Sequence, residues 1–135
     1  MTLPSLQPRK SPAPSPASRA SRTLAKTAAE AAADKKGEDI VLLNVGRFSG
    51  LTDFLVIVSA SSPAHLEALA EGVELALEGK GAQLTHRDGR HSLSWRVLDY
   101  GAVMVHLMRP ETREFYGLEK LFRGARATRL ARSSA

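Results

Sequence analysis

Apolar side chains follow two rhythms along this chain, and the change between them divides it into elements. Ile40–Val45 (IVLLNV) and Phe54–Ser59 (FLVIVS) are nearly continuous apolar runs, the first closed by Gly46. Such short runs, rich in branched residues and bounded by turn formers, predict strands buried on both faces. Over residues 63–79 the period becomes helical. Leu66, Leu69, Val73 and Leu77 make one stripe, behind Ser62 as a capping residue and Pro63 at the first helical position. Glu67, Glu71, Glu74 and Glu78 line another face, which reads as solvated, and Gly79 and Gly81 end the helix. Residues 22–36 are rich in alanine and other helix formers, with Ser21 as a cap and Gly37 as a stop. That helix holds few large apolar residues and is expected to pack lightly. Gln83–His86 predicts a short strand, and Arg87–Arg90 a polar turn. Leu93–Leu98 and Ala102–Met108 predict two more strands, joined around Asp99-Tyr100-Gly101. Glu111–Phe122 has helical composition, interrupted at Gly117. The resulting fold class is α/β: a single domain over residues 22–122, with a mixed five-stranded sheet flanked by helices.

The last two strands carry the most information. A two-residue turn at Tyr100-Gly101 pairs Asp99 with Ala102, Val97 with Met104 and Trp95 with His106. Alternation then puts Trp95, Val97, Met104, His106 and Met108 on one face, and Leu98, Val103, Val105 and Leu107 on the other. The second face is aliphatic and reads as core. The first mixes an indole, an imidazole and thioethers, a composition suited to gripping a protein partner. If a helix covers that face, the same residues become core instead.

Composition changes the picture in two places. With 135 residues, 43% of them apolar, there is material for one core plus tails. The absence of cysteine excludes disulfides, thiolate zinc sites and cysteine nucleophiles, and fits a reducing, cytoplasmic setting. No apolar run approaches the length needed to cross a bilayer, so no membrane partner is expected. The net charge of +5 conceals a division. Residues 1–37 carry seven Lys/Arg and two Asp/Glu, residues 38–122 eight and twelve, and residues 123–135 four and none. The folded part is therefore acidic between basic ends. Residues 1–21 are punctuated by five prolines from Pro4 to Pro16 and read as a disordered basic tail; residues 123–135 read as a second basic tail. Such tails either contact phosphates, rRNA among them, or serve as solubilising ends.

Known catalytic constellations are missing. There is no glycine-rich phosphate loop and no nucleophile elbow, and His65, His86, His91 and His106 lack metal-ligand spacing. Asp53 at the start of a strand invites comparison with nucleotidyl-transfer sites, where two carboxylates two residues apart hold metal ions on one face. Here the second position is Leu55, so Asp53 is expected to hydrogen-bond the loop backbone, and no cofactor or metal is expected.

Taken together, several segments resemble the Iojap family, the ribosomal silencing factors (RsfS). Trp95–Met108 (WRVLDYGAVMVHLM) carries most of the likeness. Asp39–Val45, Thr52–Ile57, Ser61-Ser62 with His65, and Arg113–Phe122 (REFYGLEKLF) agree with it in order and spacing. Ala102 stands where the family usually has an acidic residue, and Phe122 where it usually has tryptophan. The resemblance implies a fold akin to nucleotidyltransferases without their active site. It also implies a non-enzymatic factor that binds the large ribosomal subunit through ribosomal protein number fourteen. There it blocks joining of the small subunit, lowering translation when nutrients are scarce; organelle relatives act instead in large-subunit assembly. By resemblance, the hairpin and the C-terminal element form the contact surface. The expected contact residues are Trp95, Tyr100, His106, Met108, Tyr116 and Glu119. Trp95 and Met108 would fill apolar pockets and Glu119 would meet a basic side chain, whereas Leu118 docks the last helix. Two rivals stand beside this: a nucleotidyltransferase-like enzyme built on Asp53, and an RNA-binding protein acting through its tails. An edge strand or the hairpin could also support a homodimer.

Overall fold

In chain order the elements are α1 (Pro16–Asp34), β1 (Glu38–Asn44), β2 (Phe54–Ser59), α2 (Pro63–Glu78), β3 (His86–Asp88), β4 (Trp95–Asp99), β5 (Val103–Met108), α3 (Pro110–Tyr116), α4 (Leu118–Leu121) and β6 (Arg126–Arg129). They come from a computed structural model that describes residues 16–130. The strands form one mixed sheet in the order β3–β4–β5–β2–β1–β6. Only β2 and β5 are parallel; every other neighbouring pair is antiparallel.

The α/β architecture is as expected, with six strands where five were predicted. The added strand lies in the expected C-terminal tail, where Arg126–Arg129 pairs with Asn44–Val41 along the free edge of β1. A short segment with a charged residue at either end has no apolar alternation to announce it; the exposed ladder of β1 recruits it. At the other edge, β3 covers His86–Asp88, so part of the expected turn is strand, held by pairing with Asp99–Val97. The expected N-terminal tail also shortens, because α1 begins at Pro16. The remainder of both tails, residues 1–15 and 131–135, lies outside the described residues.

Both long helices cover one face of the sheet. Alternate residues of the central strands, among them Phe54, Val56, Val58, Val105 and Leu107, meet Leu66, Leu69 and Val73 of α2. The expectation that α1 packs lightly is overturned. Ala25, Ala28, Ala29 and Ala32 are fully buried, because small side chains let the helix backbone lie close to the sheet. Gly37 extends that close approach past the helix end. A Cβ there would sit 2.6 Å from Val58 Cγ1 and 2.9 Å from the Ala32 carbonyl oxygen. Gly37→Ala is therefore expected to cost about 1–2 kcal/mol through overpacking. A urea titration would show it as a lowered midpoint at unchanged slope; an unchanged midpoint would mean the helix end is free to move.

Ser21, read as a helix cap, sits inside α1, and its hydroxyl donates to Asp53 Oδ2 at 3.0 Å. Asp53 thus ties α1 to the mouth of β2 through a side chain rather than through the loop backbone alone. The solvated face of α2 is likewise only half solvated. Arg87 of β3 donates to Glu74, and Arg96 of β4 to Glu67, so the sheet arginines dock the helix. The shallow cleft of about 170 Å³ between them is lined by these two pairs together with Glu71, Asp88 and Arg90.

The β4–β5 hairpin departs from its expected register. Asp99 pairs with Met104, Val97 with His106 and Trp95 with Met108, two residues further along β5 than predicted. The tip explains the slip. The Asp99 carboxylate accepts from the Gly101 N–H at 2.8 Å, and Gly101 adopts φ of +82°. The Ala102 carbonyl accepts from the N–H groups of Asp53 and Phe54, so it belongs to the neighbouring loop rather than to Asp99. A slip of two preserves parity. The two predicted faces therefore survive intact: Leu98, Val103, Val105 and Leu107 face the helices, and Met108, with Trp95 and Met104, the opposite side.

Candidate protein-binding site

The second face of the sheet is covered by the C-terminal segment. Val41, Leu43, Leu55, Ile57 and Met108 form its buried layer, and Leu118, Phe122 and Ala125 pack onto it. Pro110 opens α3 at the first helical turn, where its missing N–H costs nothing. Gly117 then breaks the expected single helix into α3 and α4. It takes the left-handed conformation (φ +56°), and its N–H closes α3 on the Arg113 carbonyl at 3.0 Å. The chain turns there and lays Leu118 and Phe122 on the sheet. Docking of Leu118 agrees with the role expected for it.

Arg113 fastens this arrangement. Only 11% of its side chain is exposed. Its Nε donates to Glu119 Oε1 at 2.9 Å, and its Nη1 to the buried hydroxyl of Ser59 at 2.9 Å. Arg129 of β6 donates to the other Glu119 oxygen at 3.4 Å. Burial alone would raise the Glu119 carboxyl; the bond and charge of Arg113, joined by Arg129, outweigh it and hold the group below its ordinary value. One arginine thus bridges the end of β2 to α4, and one glutamate bridges α3 to β6.

At the β4 end the covering is incomplete, and aromatic rings emerge. The Trp95 indole N–H donates to His106 Nδ1 at 3.1 Å. Nδ1 is therefore the acceptor, and the ring is neutral with its proton on Nε2. Burial pushes His106 down to about 4, which keeps it neutral at physiological pH. Tyr116 lies on Trp95 with ring centroids 4.8 Å apart, and Phe115 meets Tyr116 edge-on at 5.0 Å. Phe115 is 81% exposed and Tyr116 54%. The result is a stepped aromatic ledge: a half-buried tryptophan on a fixed histidine, a half-exposed tyrosine above it and a free phenylalanine outermost.

The six residues expected at the contact surface separate into four groups. Trp95 and Tyr116 form the ledge. His106 and Met108 lie beneath it, 7% and 0% exposed, so Met108 has no surface with which to fill a partner's pocket. It is held there by the inner strand β2 and by the register that sets it opposite Trp95. Glu119 is already engaged by two arginines. Tyr100 is elsewhere: it sits at the hairpin tip and packs against the helix-covered core. Burial first, then the Glu74 charge, pushes its hydroxyl up to about 12.

Phe115 and Arg113 were not among the six. A signal for Phe115 was present: adjacent residues on a helix point about 100° apart, so only one of Phe115 and Tyr116 can dock. The role of Arg113 depends on Ser59, more than fifty positions away, and no local pattern announces it. Among the described residues no group of three or more His, Asp or Glu could hold a metal ion.

This chain is similar to several known proteins. The family model described as "Ribosomal silencing factor during starvation" matches residues 18–134. The Ribosomal silencing factor RsfS of Chromobacterium violaceum is 32% identical over 91 residues, 67% of this chain and 75% of that one. A mouse protein named "Mitochondrial assembly of ribosomal large subunit protein 1" is 33% identical over 91 residues, 65% of this chain and 40% of its own. A crystal structure of a Chromobacterium violaceum protein superposes with a TM-score of 0.74 at 29% identity, covering 84% of this chain and 95% of that one.

Proposed function

This chain belongs to the ribosomal silencing factor (RsfS, Iojap) family, and from that premise we propose that it binds the large ribosomal subunit without catalysing a reaction. Ribosomal protein number fourteen is the proposed dock, and exclusion of the small subunit the consequence. The observation that carries this reading is the Trp95–Tyr116–Phe115 ledge. Aromatics packed against one another with large free area are the anchors that dominate protein interfaces, and pre-setting them lowers the entropy lost on docking. Steric exclusion asks nothing more of the protein than affinity and bulk. The chemistry near Asp53 supports the same reading. Its neighbour at the second ligand position is Leu55, and a carboxylate oxygen is taken by Ser21.

A role in assembly of the large subunit is the second reading, favoured by the likeness to the mouse mitochondrial protein. Both readings use the same dock, and a joining assay separates them. Tyr116→Glu puts a charge on the exposed ring without opening the core. It is expected to lower co-sedimentation with purified large subunits at least tenfold, roughly the effect of losing one strong interface anchor. Wild-type protein should then suppress association with small subunits, and the variant should not. Equal retention of both proteins on the large subunit would remove the ledge from consideration. Retention of wild type with unhindered joining would leave assembly as the function.

A further inference from the structure

The structure gathers five arginines from four separate segments at one corner of the sheet, far from the ledge. Register locates them. Arg126, Asn44 and Phe54 lie side by side across β6, β1 and β2. The Arg22 guanidinium of α1 sits over the Phe54 ring, 5.3 Å from its centroid, and Arg19 lies one helical turn before it. A Cβ on Gly124 would be 3.1 Å from the tip of Phe48, so the β1–β2 loop bearing Arg47 touches the turn bearing Arg123. All five arginines are exposed. Their gathering does not follow from overall charge, since residues 38–122 carry twelve acids against eight bases. Asp53 is the acid placed among them, and one of its oxygens accepts from Ser21.

We infer that this corner is an RNA-phosphate clamp, a second contact separate from the protein-binding ledge. Guanidinium groups favour it: their planar forks match phosphate oxygens, and five from one surface can follow a backbone. Arg126 and Arg22 stand over strands two apart, roughly 10 Å. The ledge lies at the far end of β2 and four strands from β6, so the two surfaces are roughly 25 Å apart. One molecule can therefore hold protein and RNA at once, with the second contact raising the effective concentration of the first. The choice of RNA as the polyanion rests on the ribosomal reading above; the gathering of charge does not.

The test uses the full chain and a fluorescein-labelled 20-nucleotide RNA hairpin, read by anisotropy across a salt series. Arg22→Gln/Arg47→Gln/Arg126→Gln is expected to weaken binding roughly tenfold or more, and to lower the slope of log affinity against log salt by about three. Lys36→Gln/Lys80→Gln/Arg90→Gln removes the same charge elsewhere and should change affinity less than roughly twofold. Should the first variant melt early through loss of the Arg22–Phe54 contact, Arg47→Gln/Arg126→Gln replaces it, with a slope change of about two. Equal losses in the corner and control variants, or none in either, overturn the clamp. RNA affinity unchanged while binding to phosphatidylglycerol vesicles is lost would assign the corner to lipid instead, and so overturn it. Co-sedimentation of wild-type and corner variants with large subunits is measured in parallel. Wild type that binds the hairpin but not the subunit defeats the ribosomal reading alone; the reverse defeats the clamp alone.

Discussion

Acidification from pH 7.5 to 5 should remove about 2 kcal/mol of stability through His106 alone, approaching about 3 kcal/mol near pH 4. The unfolded chain binds a proton on this histidine below about 6.5; the folded chain resists until about 4. Between those values the unfolded state holds more protons, so stability falls as pH falls. The contribution is fully retained above the unfolded value. Protonation also destroys something specific. The Trp95 indole needs an acceptor at Nδ1, and imidazolium has only donors. The base of the ledge is thus neutral by construction. Urea midpoints for wild type and His106→Gln, which keeps an acceptor without titrating, should converge in their difference above pH 7 and diverge below 6.5. Parallel curves would show that the imidazole takes up its proton in the folded state with little penalty.

Arg113→Met is expected to cost about 2–3 kcal/mol, although the side chain touches no proposed partner. Removing one member of a largely buried ion pair leaves the other uncompensated, and the range is set at the lower end because Glu119 keeps 31% of its side chain exposed. The Ser59 hydroxyl loses its donor as well. The second consequence is functional. With α3 unfastened from β2, Tyr116 loses its fixed tilted contact with Trp95, and large-subunit affinity should fall roughly tenfold as the rings disorder before docking. A double variant, Arg113→Met with Glu119→Leu, should recover much of the stability, since neither charge is then left alone. Failure of the double variant to recover would place the cost in lost packing of the arginine stem rather than in the ion pair.

Element types were legible wherever burial imposes a period. The runs of β1 and β2 announced strands covered on both sides, and the stripe of α2 announced its buried face, because each records contacts that repeat along one element. The faces of the β4–β5 hairpin were legible for the same reason, while its register was not. Register was decided by the Ala102 carbonyl turning to Asp53 and Phe54, a contact between segments fifty residues apart. The same distinction runs through the site. Trp95 stands out as an aromatic between Ser94 and Arg96, and Tyr116 as half of an adjacent aromatic pair with Phe115, but whether Met108 is surface or core depends on what covers the sheet. The corner arginines fall in sequence into a basic N-terminal tail (Arg19), the first helix (Arg22), the folded part (Arg47) and a basic C-terminal tail (Arg123, Arg126), and nothing local joins them, because strand β6 and the Phe48–Gly124 contact exist only after folding.

Strand β6 also sets a constraint on how this protein is made. Its partners on β1 precede it by more than eighty positions, so the outer ladder of β1 is unpaired until β6 itself has left the ribosome. During synthesis Val41–Leu43 are an apolar strand with a bare edge, the kind of template that recruits a neighbouring nascent chain. A product ending just before Arg126 would keep β4 and α3 with the Trp95–Tyr116 ledge, yet stay open along that edge. Such a fragment would carry an open, aggregation-prone edge in addition to lacking Arg126 of the corner and the Arg129–Glu119 contact.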